Sequence, residues 1–203
     1  MFRDRLDAAE QLVERLYSLK GTHPLILAIP RGGVPMGRYL ADALEGELDV
    51  VLVRKLRAPG NPEFAIGAVS EDGTMTLDEA ASHYSKQAIE REAEQQRQLL
   101  QQRRQRYSPI RPPIPPEGRV VVVVDDGSAT GATMAAALTT LQGRTKRLIA
   151  TLGVASPNAA LRLAAIADEV ICLEMPRNFM AVSQFYADFH QVEDSEVMRL
   201  LES

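Results

Sequence analysis

The chain has 203 residues, 45% of them hydrophobic, and carries 23 Lys and Arg against 27 Asp and Glu, for a formal net charge of −4. That length suits one domain with a sizeable core, and the negative balance argues against wholesale binding to nucleic acid or an acidic membrane surface. No apolar run approaches the ~20 residues needed to cross a bilayer, and the single cysteine, Cys172, excludes an internal disulfide or a multi-cysteine zinc site.

The opening "MFRDRLDAAEQLVERL" is amphipathic and charged, unlike a leader core. Leu6, Ala9, Leu12, Val13, Leu16 and Leu19 recur at helical spacing and predict a helix over about 4–19. "PLILAI" is a short apolar run, the pattern of a strand buried on both faces, and it breaks at "PRGGVP". A helix is expected from about Pro35 to Leu44, and "DVVLVRKL" reads as a second buried strand. "RAPGNPEF" then reads as a loop, and "AIGAVSEDGTMTLD" as a hairpin turning at Glu71-Asp72-Gly73.

Residues 79–107 predict one long polar helix, and the proline-rich "SPIRPPIPPEG" after it cannot continue that helix. "RVVVVVDD" is a third buried strand, followed by a loop and a helix from Thr130 to Leu141. "KRLIATLGVAS" and "EVICLEM" are the fourth and fifth strands, separated by a helix that begins at Pro157, a favourable first-turn position. Cys172 lies in that fifth strand and reads as inert packing. The tail holds four of the ten aromatics and a final short helix. Buried strands alternating with helices predict a parallel α/β sheet with right-handed crossovers. The expected organisation is a single domain over 1–203, with a helical insertion at about 79–107 and a small hood at about 174–203.

In such sheets ligands bind at the carboxyl ends of the strands. Pro30–Gly33, Arg54–Lys55 and Asp125–Thr133 are therefore expected along one edge. Gly127, Ser128, Ala129, Thr130, Gly131, Ala132 and Thr133 lie between a strand and a helix N-terminus. Glycines let the backbone N–H groups turn inward, the helix dipole favours an anion, and the hydroxyls of Ser128, Thr130 and Thr133 add donors. The loop lacks the lysine of a Walker A motif and the spacing of G-x-G-x-x-G, which argues against a dinucleotide. Asp125 and Asp126 would repel a phosphate they touched, so they suit vicinal hydroxyls or a nearby divalent cation. A phosphate beside a vicinal diol describes a ribose 5-phosphate.

The pattern D-D-G-x-x-T-G-x-T after a hydrophobic run, Val121 to Thr133, resembles the phosphoribosyl-pyrophosphate-binding motif of the type I phosphoribosyltransferases. The resemblance covers roughly residues 20–175. It implies a parallel twisted sheet flanked by helices, with Asp125 and Asp126 on the ribose 2- and 3-hydroxyls and Gly127–Thr133 on the 5-phosphate. It also implies Mg²⁺, with Asp125 and Asp126 reaching the ion indirectly through substrate or water. Arg31, Gly32 and Gly33 would sit in the pyrophosphate loop, where the family often has a non-proline cis peptide near Pro30-Arg31-Gly32. "VRKLRAPGNPEFAIGAVSEDG" occupies the place of the family's flexible catalytic loop. Lys55 would stabilise the leaving pyrophosphate there, and Arg57, Gly60 and Asn61 would lie on a lid.

The family places its acceptor site in the hood. Phe179, Phe185 and Tyr186 there could stack on a flat base and Gln184 could read its edge. The 6-oxopurine members carry an acidic residue where this chain has Ala129, which argues against hypoxanthine- or guanine-type activity. His23, His83 and His190 stand at no ligand or triad spacing. The basic second half of the 79–107 helix suits a solvated face or a dimer contact better than RNA. These readings describe a cytoplasmic, homodimeric, Mg²⁺-dependent transferase that moves 5-phosphoribosyl from phosphoribosyl pyrophosphate to a nitrogen acceptor. The rival reading is a non-catalytic regulator that senses phosphoribosyl pyrophosphate and acts on RNA or a protein partner.

Overall fold

A computed structural model describes residues 1–202. Eight strands and six α-helices run in the order α1 (Arg5–Leu16), β1 (Leu25–Ala28), α2 (Gly33–Leu44), β2 (Glu47–Val50), β3 (Val53–Ala58), β4 (Asn61–Ser70), β5 (Met75–Leu77), α3 (Lys86–Tyr107), β6 (Val120–Ser128), α4 (Ala132–Leu141), β7 (Arg147–Ala155), α5 (Pro157–Ala164), β8 (Glu169–Glu174) and α6 (Asp194–Glu202). Among the described residues no helix is long and apolar enough to cross a membrane.

Five strands form the expected parallel sheet, in the order β2-β1-β6-β7-β8. Its central strands bury both faces. Ile26, Ala28, Val122 and Val124 pack in the same cluster as Leu12, Leu16, Leu40 and Leu44 of α1 and α2. Their neighbours Leu25, Leu27, Val121 and Val123 pack instead with Met134, Leu138 and Leu141 of α4. Period-two alternation thus feeds two cores at once, which is why the sequence runs read as continuously apolar. The strand order reverses at the β1/β6 pair, where Ala28 lies beside Val124. Crevices at such a reversal are where open α/β sheets take ligands.

The expected second strand is two strands. β2 joins the parallel sheet, Val51–Leu52 carry the chain out of it, and β3 opens a separate antiparallel sheet in the order β3-β4-β5. An apolar run does not mark where a chain leaves one sheet for another. The expected loop at 57–64 is also mostly strand. Arg57 and Ala58 end β3, Pro59-Gly60 form the tip with Gly60 at φ +79°, and Asn61 begins β4. Pro62 is tolerated because the pairing is irregular between Leu56 and Ala58 and β5 joins β4 only from Gly67 onward. The predicted hairpin turn at Glu71-Asp72-Gly73 is present between β4 and β5.

The long helix is interrupted near its start. Glu79–His83 is a 3₁₀ turn, and α3 begins after Ser85, whose hydroxyl accepts the Ala88 N–H at 3.2 Å. Arg104 ties α3 to the rest of the molecule. It donates to Asp49 at 3.0 Å, to the Val50 carbonyl at 3.2 Å and to both oxygens of Glu71 at 2.5 Å. The other oxygen of Asp49 accepts the Ile114 N–H of the proline connector at 2.9 Å.

The tail includes a 3₁₀ turn at Val182–Phe185 and α6. The N-terminal segment pairs with it: the Phe2 N–H donates to the Phe185 carbonyl at 2.8 Å, and the Ala187 N–H to the Phe2 carbonyl at 2.8 Å. Burial pushes the Cys172 thiol up to about 11, in keeping with the packing role its strand pattern predicts.

Candidate active site

The turn after β1 and the end of β6 meet at the β1/β6 reversal. The Ile29 N–H donates to the Val124 carbonyl at 3.0 Å, and the Gly33 N–H to the Ile29 carbonyl at 3.0 Å. The Pro30–Arg31 peptide bond is cis, in the position the resemblance implied. Both glycines are sterically required. A Cβ on Gly32 would run into the carboxylate of Asp126, and one on Gly33 would lie 2.5 Å from the Val124 carbonyl oxygen. The turn is thereby pressed against the two aspartates. Arg31, Gly32, Asp125 and Asp126 line one open cavity of about 390 Å³, together with Phe189–Val192 of the tail.

Arg5, which no sequence motif marks, also lines that cavity. Its Nε donates to Asp126 Oδ2 at 2.8 Å and an Nη to the His190 carbonyl at 2.8 Å, while its guanidinium lies 4.0 Å from the centre of the Phe189 ring. The side chains of Arg5 and Asp126 are only 8% and 12% exposed. The helical stripe is expected to start at Leu6, but Leu6 is 49% exposed and the inward stripe of α1 is Arg5, Ala8, Ala9, Leu12 and Leu16. An arginine one turn ahead of an alanine-leucine stripe was the available signal.

Burial pushes the Asp125 carboxyl well above the usual range, and the adjacent Asp126 charge pushes it further. Burial also raises Asp126, with Arg5 pulling against it through charge and hydrogen bond. The Asp126 N–H donates to Asp125 Oδ1 at 2.9 Å, and its carbonyl accepts the Tyr186 hydroxyl at 2.6 Å.

Tyr186 accordingly does not offer a stacking face. It is 4% exposed and its ring is flanked by Phe2 and Phe189 at centroid distances of 5.2 and 5.1 Å. Phe179 and Phe185 pair with each other at 5.4 Å and pack on the core. The Gln184 side-chain oxygen accepts the N–H groups of Met180 and Ala181 at 2.9 and 3.0 Å, so it folds its own turn. The residues of the tail that do face the aspartates are Phe189–Val192.

The glycine- and hydroxyl-rich stretch divides in two. Gly127 and Ser128 belong to β6 and pair with Val154 and Ala155, contrary to the expected loop. Gly127 is there for packing, since a Cβ would lie 2.7 Å from the Val154 side chain. Ser128 Oγ accepts the Gly131 N–H at 2.8 Å, which turns this hydroxyl onto the loop's own backbone. Ala129 and Thr130 are held by β7–α5 residues, because Ser156 Oγ donates to the Ala129 carbonyl at 2.6 Å and Arg162 to the Thr130 carbonyl at 3.4 Å. Gly131, at φ +71°, caps α4, whose first turn begins with Ala132 and the exposed Thr133. The leading N–H groups of a helix have no intrahelical acceptor and face outward as an anion-binding end.

Lys55 lies on the other side of that loop. It shares a cavity of about 480 Å³ with Thr130, Ala132 and Arg162, and its side chain makes no hydrogen bond or ion pair among the described residues. Arg31 and Lys55 therefore line different cavities. Arg57 is not aimed at either. Its Nε and backbone N–H donate to one oxygen of Glu92 on α3 at 2.8 and 3.2 Å. Burial would raise Glu92, but the hydrogen bonds from Arg57 and Gln96 outweigh it and hold this carboxylate below its usual range.

The family model described as a phosphoribosyl transferase domain matches residues 3–190. The protein TT1426 from Thermus thermophilus is 48% identical, with 99% of this chain and 97% of that chain superposed at a TM-score of 0.91. A Mycobacterium tuberculosis protein, provisionally named a phosphoribosyl transferase in strains H37Rv and CDC 1551, is 39% identical over 206 residues. That match takes in 100% of this chain and 46% of the mycobacterial protein, so the chain spans about half the length of the curated relatives it matches.

Proposed function

The chain belongs to the phosphoribosyl transferase domain family, and from that premise we propose that it moves 5-phosphoribosyl from phosphoribosyl pyrophosphate to a nitrogen acceptor, releasing pyrophosphate. The observation that carries this reading is the single cavity that joins Arg31 and Gly32 to Asp125 and Asp126. It supplies a cation and two carboxylates, and a few residues further along the chain Gly131 caps the N-terminal end of α4, an anion-binding helix end.

In this reading Asp125 and Asp126 accept hydrogen bonds from the ribose 2- and 3-hydroxyls. Their separation from the helix end keeps the carboxylates off the 5-phosphate, which sits on Thr130–Thr133 and the first turn of α4. Arg31 takes the pyrophosphate. The ribose C1–O bond breaks with oxocarbenium-like character and its electron pair leaves with pyrophosphate. The acceptor nitrogen forms the new bond to C1 and gives up a proton. Lys55, unpaired and across the loop, approaches the departing oxygens when the β3–β4 hairpin closes. One such cationic donor is typically worth ~3 kcal/mol in the transition state. Closure also excludes the water that would otherwise capture C1.

Among the described residues no three His, Cys, Asp or Glu side chains are grouped to hold a metal ion. Asp126 already spends one oxygen on Arg5. Asp125 and Asp126 would therefore hold Mg²⁺ indirectly, through substrate or water, and the ion would there neutralise charge on the leaving group.

The acceptor side of the cavity is Phe189–Val192, where Arg5 covers the Phe189 ring. This favours an acceptor read by backbone groups of the tail over one sandwiched between aromatic rings. Ala129 offers no carboxylate to a 6-oxopurine. The test is pyrophosphate release from phosphoribosyl pyrophosphate with Mg²⁺ across purines, pyrimidines and simple amines, with D125N/D126N as the blank. Release with one acceptor class and none from the blank is expected. Tight donor binding without release on any acceptor would instead favour a sensor.

A further inference from the structure

A further cavity, of about 340 Å³, shares no lining residue with those of Asp125 and Lys55. It lies beside the edge strand β2, where the chain leaves the parallel sheet through Val51–Leu52. Leu27, Leu52 and Leu141, all buried, line it together with Ile114 of the proline connector. Its interior polar side chains are spent within the protein. Thr140 Oγ donates to the Ala137 carbonyl at 2.8 Å, Ser70 Oγ donates to Asp72, and Asp49 accepts from Arg104 and the Ile114 N–H. The interior therefore offers a ligand mainly apolar contact, the usual lining of a small-molecule pocket. An apolar cavity of ~150 Å³ already takes a benzene ring, so this one has room for a ring and a short chain.

The charge of the lining is unequal. Asp49, Glu71, Asp72 and Glu117 line the cavity against the single guanidinium of Arg144. Arg104 answers Asp49 and Glu71, and Arg144 answers Asp72 at 2.7 Å and Glu117 at 2.6 Å, so four carboxylates share two cations. Both Arg144 bonds to Glu117 fall on Oε1, neither reaches Oε2, and this side chain is 55% exposed. The hydrogen bond from Arg144 also holds the Glu117 carboxyl below its usual range. An alkylammonium at Glu117 would keep its contact with water, which spares it the cost of burying a charge.

We propose that this cavity binds a small primary amine with a ring-sized apolar body, the ring lying among Leu52, Leu141 and Ile114 and the ammonium at Glu117. The occupant bridges the exit of β2 and the β4–β5 turn, where the Glu71 N–H donates to the Leu52 carbonyl at 3.2 Å. It thus joins the parallel sheet to the base of the hairpin sheet that carries Lys55. The site stands apart from the transferase reading, because it uses none of the residues assigned there.

The test is calorimetric titration with phenethylamine, beside the neutral phenethyl alcohol and the anion hydrocinnamate. Wild type is expected to bind the amine about threefold more tightly than the alcohol, the range of an exposed ion pair, and to bind the anion more weakly than either. I114W places a ring of its own in the cavity and should weaken the amine and the alcohol at least about tenfold, the loss of one buried ring contact. Ile114 is half-buried and its N–H bond to Asp49 is a backbone one, so the fold should hold. E117Q, at an exposed side chain, should leave the alcohol unchanged and erase the advantage of the amine. No binding of the amine to wild type, hydrocinnamate bound as tightly as the amine, or amine affinity unchanged in both variants overturns the proposal.

Simple amines are also possible acceptors, so a second arm locates the bound one. Amide exchange with phenethylamine present should slow at Val51 and Glu71 and not at Arg31–Gly33. Protection at Arg31–Gly33 instead, or binding lost in D125N/D126N and kept in I114W, puts the amine in the aspartate cavity and overturns the proposal. Failure of phosphoribosyl pyrophosphate to bind wild type would remove the transfer reading and leave this site standing.

Discussion

The strand end that carries Asp125 and Asp126 and the hairpin that carries Lys55 and Arg57 are built in opposite ways. The strand end is central in a parallel sheet, covered on both faces, and its Asp126 is gripped by Arg5, Tyr186 and the pressing Gly32. The hairpin is a small antiparallel sheet with an exposed tip. Beyond its strands it packs on α3, where Leu56 and Ile66 join Ile89 and Ala93, and on α4, while the Arg57–Glu92 pair ties its outer end to α3. The first region holds charge where water cannot relax it, and the second keeps charge where it can move. The proposed transfer would use both: fixed acceptors for the sugar hydroxyls, and a cation on the hairpin.

Breaking the fixed region should cost stability first. R5A leaves the Asp126 carboxylate buried without its partner, and such losses run about 3–5 kcal/mol. Denaturant unfolding of R5A should show a drop of that order, and R5A/D126N should recover part of it. A loss below about 1 kcal/mol, the net worth of an ordinary hydrogen bond, would mean that Asp126 is held by its backbone alone. The hairpin should separate the two properties. K55A is expected to reduce turnover about 100-fold with unfolding free energy within about 0.5 kcal/mol of wild type. Steady-state kinetics should place the loss in kcat; a loss confined to KM would remove Lys55 from leaving-group stabilisation.

Two smaller effects sharpen the contrast. E92Q removes the charge that holds Arg57 against α3, and exposed pairs of this kind contribute little to global stability. The melting midpoint should hardly move, while amide exchange at residues 57–62 should quicken severalfold. Equal exchange in both proteins would show that the hairpin is set by its strands alone. At the other end of the hairpin sheet, partial burial pushes Asp72 up. Hydrogen bonds from Ser70 and Thr74, together with the Arg144 charge, prevail and hold it at about 2, against an ordinary 3.8. A lowered carboxyl favours the folded state above its unfolded pKa. That contribution is full above about pH 4 and fades as pH falls toward 2. After allowance for its exposure the effect is small, and D72N should flatten the acid limb of stability over that window. An unchanged limb would assign acid sensitivity to other carboxylates.

The carboxylate motif and the glycine turn after β1 were legible because their patterns are local. Asp125-Asp126 follow a valine run, and Gly32-Gly33 follow "AIPR", so strand, turn and residue type are read within a dozen positions. The acceptor side was not. Tyr186 and Gln184 looked like recognition residues by type, yet one is buried under the Asp126 carbonyl and the other folds its own turn. Type alone does not say which way a side chain points when a tail folds back over a site. Arg57 likewise looked like a lid cation, and its position opposite Glu92 is set by α3, thirty-five residues away.

The sequence by itself determined the α/β alternation, the buried strands, the β4–β5 turn and the two loops that meet at the sheet's carboxyl edge. All of these follow from periodicity and backbone preference over short spans. Tertiary structure alone decided that the run at 49–56 divides between two sheets, that Gly127-Ser128 extend β6, and that Arg5 reaches Asp126 across 121 residues. Those outcomes depend on which distant segments compete for the same strand edge and the same buried charge. No local pattern encodes that competition.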